Sequence, residues 1–134
     1  MAKRIVIDSS ALLAIYFGEP EGVPIATVLR EAVERHISSF TLLESSVVVL
    51  RRTGLQGRIL FDSLCERSLL KIVPFTDEQL HWARSASLHF GKGRHPASLN
   101  LGDCCSYALA KAAGLPLLCK GKDFSQTDLE LVPY

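Results

Sequence analysis

The sequence has no long hydrophobic run. Its longest uninterrupted apolar stretch is Ala11 to Phe17, far short of the roughly 20 residues a membrane span needs. Charge of one sign is also missing: 15 Lys and Arg stand against 14 Asp and Glu, a formal net charge of +1. That balance excludes a strongly basic nucleic-acid carpet and an acidic disordered tail. Aromatic residues make up only 7%, too few for a single-strand stacking surface to dominate. The four cysteines (65, 104, 105 and 119) form no Cys-x-x-Cys or Cys/His spacing suited to zinc and read as reduced, mostly buried thiols. Neither GxSxG nor GxxxxGK[ST] occurs, and no serine has a plausible His/Asp triad. Lys3 and Arg4 before Ile5-Val6-Ile7 mimic the start of a signal peptide, but Asp8 interrupts that run and no small-residue cleavage site follows. The expectation is a soluble, cytoplasmic chain. With 134 residues, 48% of them hydrophobic, it reads as one domain over 1–134 with a genuine core.

Strand and helix patterns alternate along it. Arg4 to Ile7 is a short β-branched run that reads as a buried strand. Ser9 and Ser10 offer an N-cap for a helix through Ala11 to Phe17, stopped by Gly18 and Pro20. Ile25, Val28, Leu29, Ala32 and Val33 repeat at three and four, predicting a helix over 23–35. A strand is expected over 36–40. Thr41 then caps a helix that ends at Gly54, and a further amphipathic helix covers 55–67. Leu70 to Val73 is a third strand. Thr76, Asp77 and Glu78 open a helix lasting to about Phe90, and a loop over 91–100 precedes a helix over 102–113 with Gly114 as its stop. Leu115 to Cys119 is a fourth strand, with 129–132 as a candidate fifth. This order predicts an α/β fold with a mostly parallel sheet and helices on both faces. Such sheets place ligand sites at the carboxyl ends of their strands.

That rule separates the carboxylates. Glu31, Glu34, Glu66, Asp77 and Glu78 fall on polar helix faces or in first turns and read as solvated surface. Four others share the expected carboxyl edge. Asp8 follows the first strand directly. Asp123 follows the fourth strand through Lys120-Gly121-Lys122. Asp103 starts the helix that precedes that strand, and Glu44 lies in the first turns of the helix leaving the second. Each has a structural explanation available, as a cap, a turn or a dipole partner. Glu44 resists one, because a carboxylate among Leu and Val is costly when desolvated without a partner. A single site accounts for all four together. Gathered carboxylates repel, so a divalent cation is the natural counter-ion, and all-oxygen ligands favour Mg²⁺ or Mn²⁺ over zinc. Such ions commonly serve phosphoryl chemistry, and the expected reaction is hydrolysis of a phosphodiester.

The segments IVIDSSALLAIYFGEPE, SSFTLLESSVVV and LNLGDCCSYALAKAAGLPLLCKGKDFSQTDL resemble the PIN-domain ribonucleases, and within them the VapC-type toxins of bacterial toxin–antitoxin pairs. The resemblance runs from Arg4 to Val132. By it, Asp8, Glu44, Asp103 and Asp123 match the family's acidic metal-binding quartet, and Ser9 matches a small hydroxyl residue that supports the site. It implies a three-layer α/β/α sandwich, Mg²⁺ or Mn²⁺, an RNA substrate, a homodimer, and a VapB-type antitoxin that occludes the cleft. One position departs: the last motif is often Gly-Asn-Asp or Gly-Asp-Asp, and here it is Gly121-Lys122-Asp123. Lys122 either contacts substrate phosphate or weakens the hold on a second metal.

Between residues 92 and 122, Lys92, Arg94, Lys111, Lys120 and Lys122 face one acid, Asp103. A polyanion would feel that asymmetry, with salt-sensitive binding. Arg94 and His95 are the expected substrate contacts. Ser106, three residues after Asp103, shares its helix face and is a candidate to orient a metal-bound water. The helices over 12–17 and 23–33 carry more apolar residues than one core face requires, which suits a dimer face or a groove for a partner helix. Two other classes stay open. A receiver-type phosphotransfer domain would use Lys120 as its late lysine, but it needs an acidic pair after the first strand and a phosphoacceptor where Ser38-Ser39 stand. A non-catalytic binding module that kept the fold is the other.

Overall fold

The computed structural model describes residues 3–134. Four parallel strands form one sheet in the order β3-β2-β1-β4: β1 (Arg4–Ile7), β2 (Glu34–Ser38), β3 (Leu70–Val73) and β4 (Leu117–Leu118). Parallel strands need helical crossovers, supplied by α1 (Ser9–Tyr16), α2 (Gly22–Glu31), α3 (Ser39–Arg67), α4 (Asp77–Phe90) and α5 (Leu101–Ala113).

The period of two along β1 divides the core. Ile5 and Ile7 join Leu12, Ile25, Leu29, Val49 and Phe61 beneath α1, α2 and α3. Val6 points the other way, into a cluster with Ala86, Leu99, Tyr107, Leu109 and Leu117 under α4 and α5. Helices therefore cover both faces, giving the expected three-layer α/β/α sandwich.

Several expected boundaries move. The second strand begins at Glu34, two residues early, so α2 stops at Glu31 rather than reaching Arg35. Arg35 instead donates from Nε to the carbonyl of Leu29, closing the end of α2. The expected fifth strand is a single bridge from Leu131 to Leu117, because β4 is only two residues long. The expected helix break at Gly54 is a sharp kink inside α3, with φ 74° and ψ −169°, a conformation open essentially only to glycine. Among the described residues no helix is long and apolar enough to cross a membrane, and the four cysteines are free thiols.

Candidate metal centre and active site

The carboxyl ends of β1 and β4 and the first turns of α1, α3 and α5 meet at one edge of the sheet. Asp8 is the first residue past β1. It is 2% exposed and caps α1, accepting from the Ser10 backbone N–H at 3.0 Å. The cap expected of Ser9 or Ser10 thus belongs to Asp8, whose side chain reaches the free amide two residues on. The Ser10 hydroxyl donates to the same oxygen, Oδ2, at 2.6 Å. Ser106 Oγ donates to the other oxygen, Oδ1, at 2.5 Å. Ser10 Oγ also accepts from the Lys120 backbone N–H at 2.9 Å, tying Asp8 to the loop that carries Asp123.

Asp103 is the third residue of α5 in a capping box. Its Oδ2 accepts from the Asn100 N–H, and Asn100 Oδ1 accepts from the Asp103 N–H. Burial pushes its carboxyl up to about 6; the Asn100 N–H opposes this, and the nearby charges of Asp8, Asp123 and Glu44 reinforce it. Glu44 is likewise raised, first by burial and then by Asp8, with a hydrogen bond from Ser9 lowering it. The other three acids are therefore within electrostatic reach of Asp103. The Glu44 carboxylate lies against Gly102: a Cβ built on that glycine would stand 2.6 Å from Glu44 Cδ and closer still to both oxygens.

The four acids do not, however, form a closed cage. Among the described residues, no three carboxylate, imidazole or thiol side chains stand close enough to hold an ion. Asp103 is turned back onto its own helix start, and Asp123 is exposed on the loop after β4. The donor set still fits a hard divalent cation. Four carboxylates face this edge, and no ion pair among the described residues neutralises any of them. Burial raises Cys119 to about 12 and Cys105 to about 11, which favours the neutral thiol at both.

The remaining expected residues are placed as follows. Ser9 lies close enough to Glu44 for its hydroxyl to lower that carboxyl. Ser106 holds Asp8 directly. Lys92, Arg94 and Lys122 are exposed. His95 Nδ1 accepts from the Ala97 N–H, and the ring packs edge-on against Phe90, so its visible work is shaping the 91–100 loop. Two of the five basic residues are already paired: Lys111 with Asp128, and Lys120 with Glu19 and Glu21. The local positive field is correspondingly weaker than the sequence count suggests. Sequence reasoning missed Ser10, Asn100, Gly102 and Thr41 as site residues. Asn100-x-x-Asp103 was readable as a capping box. Thr41 does not cap α3; Ser38 does, accepting from the Phe40 N–H. Thr41 is instead fully buried, with Oγ1 3.2 Å from Ser106 Oγ.

A sheet with acids gathered at its carboxyl edge and a hydroxyl-clamped aspartate after the first strand describes a class of metal-using phosphodiesterases, and comparison with known proteins agrees. The PIN domain model matches residues 5–130. A ribonuclease VapC from Mycolicibacterium smegmatis is 41% identical over 128 residues, covering 96% of this chain and 99% of that relative. Ribonuclease VapC30 from Mycobacterium tuberculosis is 40% identical, covering 96% and 98%. Among solved structures, Mycobacterium tuberculosis VapC20, a toxin that cleaves the sarcin-ricin loop, has a TM-score of 0.78 at 16% identity, covering 97% of this chain and 99% of its own. A chain of VapBC2 from Rickettsia felis, solved bound to a promoter DNA fragment, has a TM-score of 0.73 at 17% identity, covering 96% of each chain. The chain belongs to the PIN-domain family, on its VapC ribonuclease branch. The receiver alternative is thereby set aside: β2 ends on Ser38, a helix cap, and Lys120 is held by Glu19 and Glu21.

Proposed function

We propose that this chain is an endoribonuclease that hydrolyses RNA phosphodiester bonds as the toxin of a VapBC-type pair, acting in the cytoplasm as one nuclease domain over 1–134 and restrained by a VapB-type antitoxin. Asp8, Glu44, Asp103 and Asp123 hold Mg²⁺ or Mn²⁺. The observation that carries this is the set of four carboxylates at one strand edge without a cationic partner, two of them, Glu44 and Asp103, raised first by burial and further by neighbouring carboxylates. Such an ion supplies an activated water and neutralises charge on the phosphate and the leaving oxygen.

The chain's own residues do the rest. Ser10 and Ser106 fix both oxygens of Asp8, so the buried carboxylate meets an ion in one orientation. Asp103, whose Oδ2 accepts from the Asn100 N–H, would be a further ligand. Asp123 would join from its exposed loop, where the equally exposed Lys122 would be available to substrate phosphate. Exposed Lys92 and Arg94 guide the RNA backbone, with His95 holding their loop in shape. The name of the Rickettsia felis complex supports an antitoxin partner here; the apolar residues over 12–17, where the sequence suggested a dimer face, are taken up by the core, and the exposed Leu43, Val47, Leu50 and Leu101 suit a homodimer instead.

The test is cleavage of RNA by purified protein in Mn²⁺, with Asp8→Asn and Asp103→Asn alongside. Both variants are expected to lose at least about 100-fold in rate while keeping the wild-type circular dichroism spectrum. Unchanged cleavage by both contradicts the proposal, and wild-type protein that binds Mn²⁺ without cutting RNA favours the binding-module alternative.

A further inference from the structure

Each of the two acid-bearing helices carries a buried hydroxyl one turn from its acid. Thr41 lies three residues before Glu44 on α3, and Ser106 lies three residues after Asp103 on α5. These hydroxyls meet each other at 3.2 Å, and Ser106 continues to Asp8 at 2.5 Å. We propose that Thr41 is a positioning residue for the metal centre, acting through Ser106 to fix Asp8 and to lock α3 against α5. The inference rests on the reading that Asp8, Glu44 and Asp103 receive a divalent cation.

Proton counting sets the direction of the chain. Ser106 commits its single hydroxyl proton to Asp8 Oδ1. Its oxygen can then meet Thr41 only as an acceptor, which makes Thr41 the donor. Thr41 is 0% exposed and its hydroxyl has no other partner among the described residues. Its donor is therefore committed to Ser106, and a buried hydroxyl without that partner would be left unsatisfied. Three elements meet through this chain: the end of β1 through Asp8, α3 through Thr41, and α5 through Ser106. A shift of α3 along α5 would move Glu44 relative to Asp103 and break the Thr41–Ser106 contact in the same motion. Thr41 thus does more than fill core volume, which a valine of the same shape would do equally well.

The test uses Thr41→Val, Thr41→Ser and Ser106→Ala with two readouts. The first is Mn²⁺ affinity by calorimetry on the full chain. Thr41→Val is expected to lose about tenfold, as outer-shell changes typically do, and Thr41→Ser to return close to wild type. The second is urea unfolding of the metal-free protein, where the Thr41→Val and Ser106→Ala shifts should be non-additive, since the two residues share one contact. Unchanged Mn²⁺ affinity in Thr41→Val, no rescue by Thr41→Ser, or additive urea shifts would each overturn the inference. A wild-type protein that binds no Mn²⁺ contradicts the metal-site reading and, with it, the proposed role of Thr41 in positioning that site; the urea cycle then shows separately whether the hydroxyl contact exists.

Discussion

Gly102 has no side chain where Glu44 needs room. A methyl group there would collide with the Glu44 carboxylate, the free end of a flexible side chain that can swing aside at little cost. Alanine also favours a helix over glycine by about 1 kcal/mol. Gly102→Ala is therefore expected to leave the melting temperature unchanged or raised while RNA cleavage falls by about tenfold or more, since a misplaced ligand disturbs the site. Parallel thermal and kinetic assays check this, and loss of both together would contradict it. Asp103 gives the pH signature. Its carboxyl is raised to about 6 from an ordinary 3.8, so the metal-free native state binds more protons than the unfolded chain between those values. This contribution is fully present below pH 3.8 and is lost as pH rises through 6. The melting temperature of Asp103→Asn minus that of wild type should accordingly be more positive at pH 7.5 than at pH 4. A pH-independent difference would contradict the raised carboxyl.

At the scale of elements, α3 does two jobs on either side of Gly54. Its first half carries Thr41 and Glu44 to the site. Beyond the kink, Phe61 is fully buried against Tyr16 at 5.4 Å between ring centroids, and the Tyr16 hydroxyl donates to the Gly57 carbonyl at 2.7 Å. The kink thus turns the second half back onto α1. An alanine at 54 would meet no atom but would hold an unfavourable backbone, costing about 1–3 kcal/mol. Urea denaturation should show that loss, with the cleavage rate per folded molecule unchanged because Glu44 precedes the bend. Much of this level was legible in the sequence. Gly54, Gly114, Pro74 and the Thr76-Asp77-Glu78 start punctuate the chain where the elements end, and the β-branched runs give three of the four strands. The misplaced pieces depend on tertiary contacts: the true start of β2 at Glu34 is set by pairing with β1, and the 129–132 segment stays a bridge because β4 is too short to pair further.

Across the whole molecule, acids distant in sequence converge because parallel topology brings strand ends and helix starts to one edge. That rule alone selected Asp8, Glu44, Asp103 and Asp123. The hydrogen-bond frame around them was not readable in the same way. Ser10 and Ser9 are adjacent and chemically alike, yet Ser10 binds Asp8 and Ser9 serves Glu44. Thr41 reads as a cap until Ser106, 65 residues away, is seen beside it. Lys120 reads as a free cation until Glu19 and Glu21 are folded against it. The most direct measurement is the anomalous difference map of crystals grown with Mn²⁺. The account predicts a peak at the β1–β4 edge, about 2 Å from at least two of the four carboxylates, with the others bound directly or through water. A strong Mn²⁺ peak elsewhere, or one too far from Glu44 and Asp123 for even a bridging water, would contradict it.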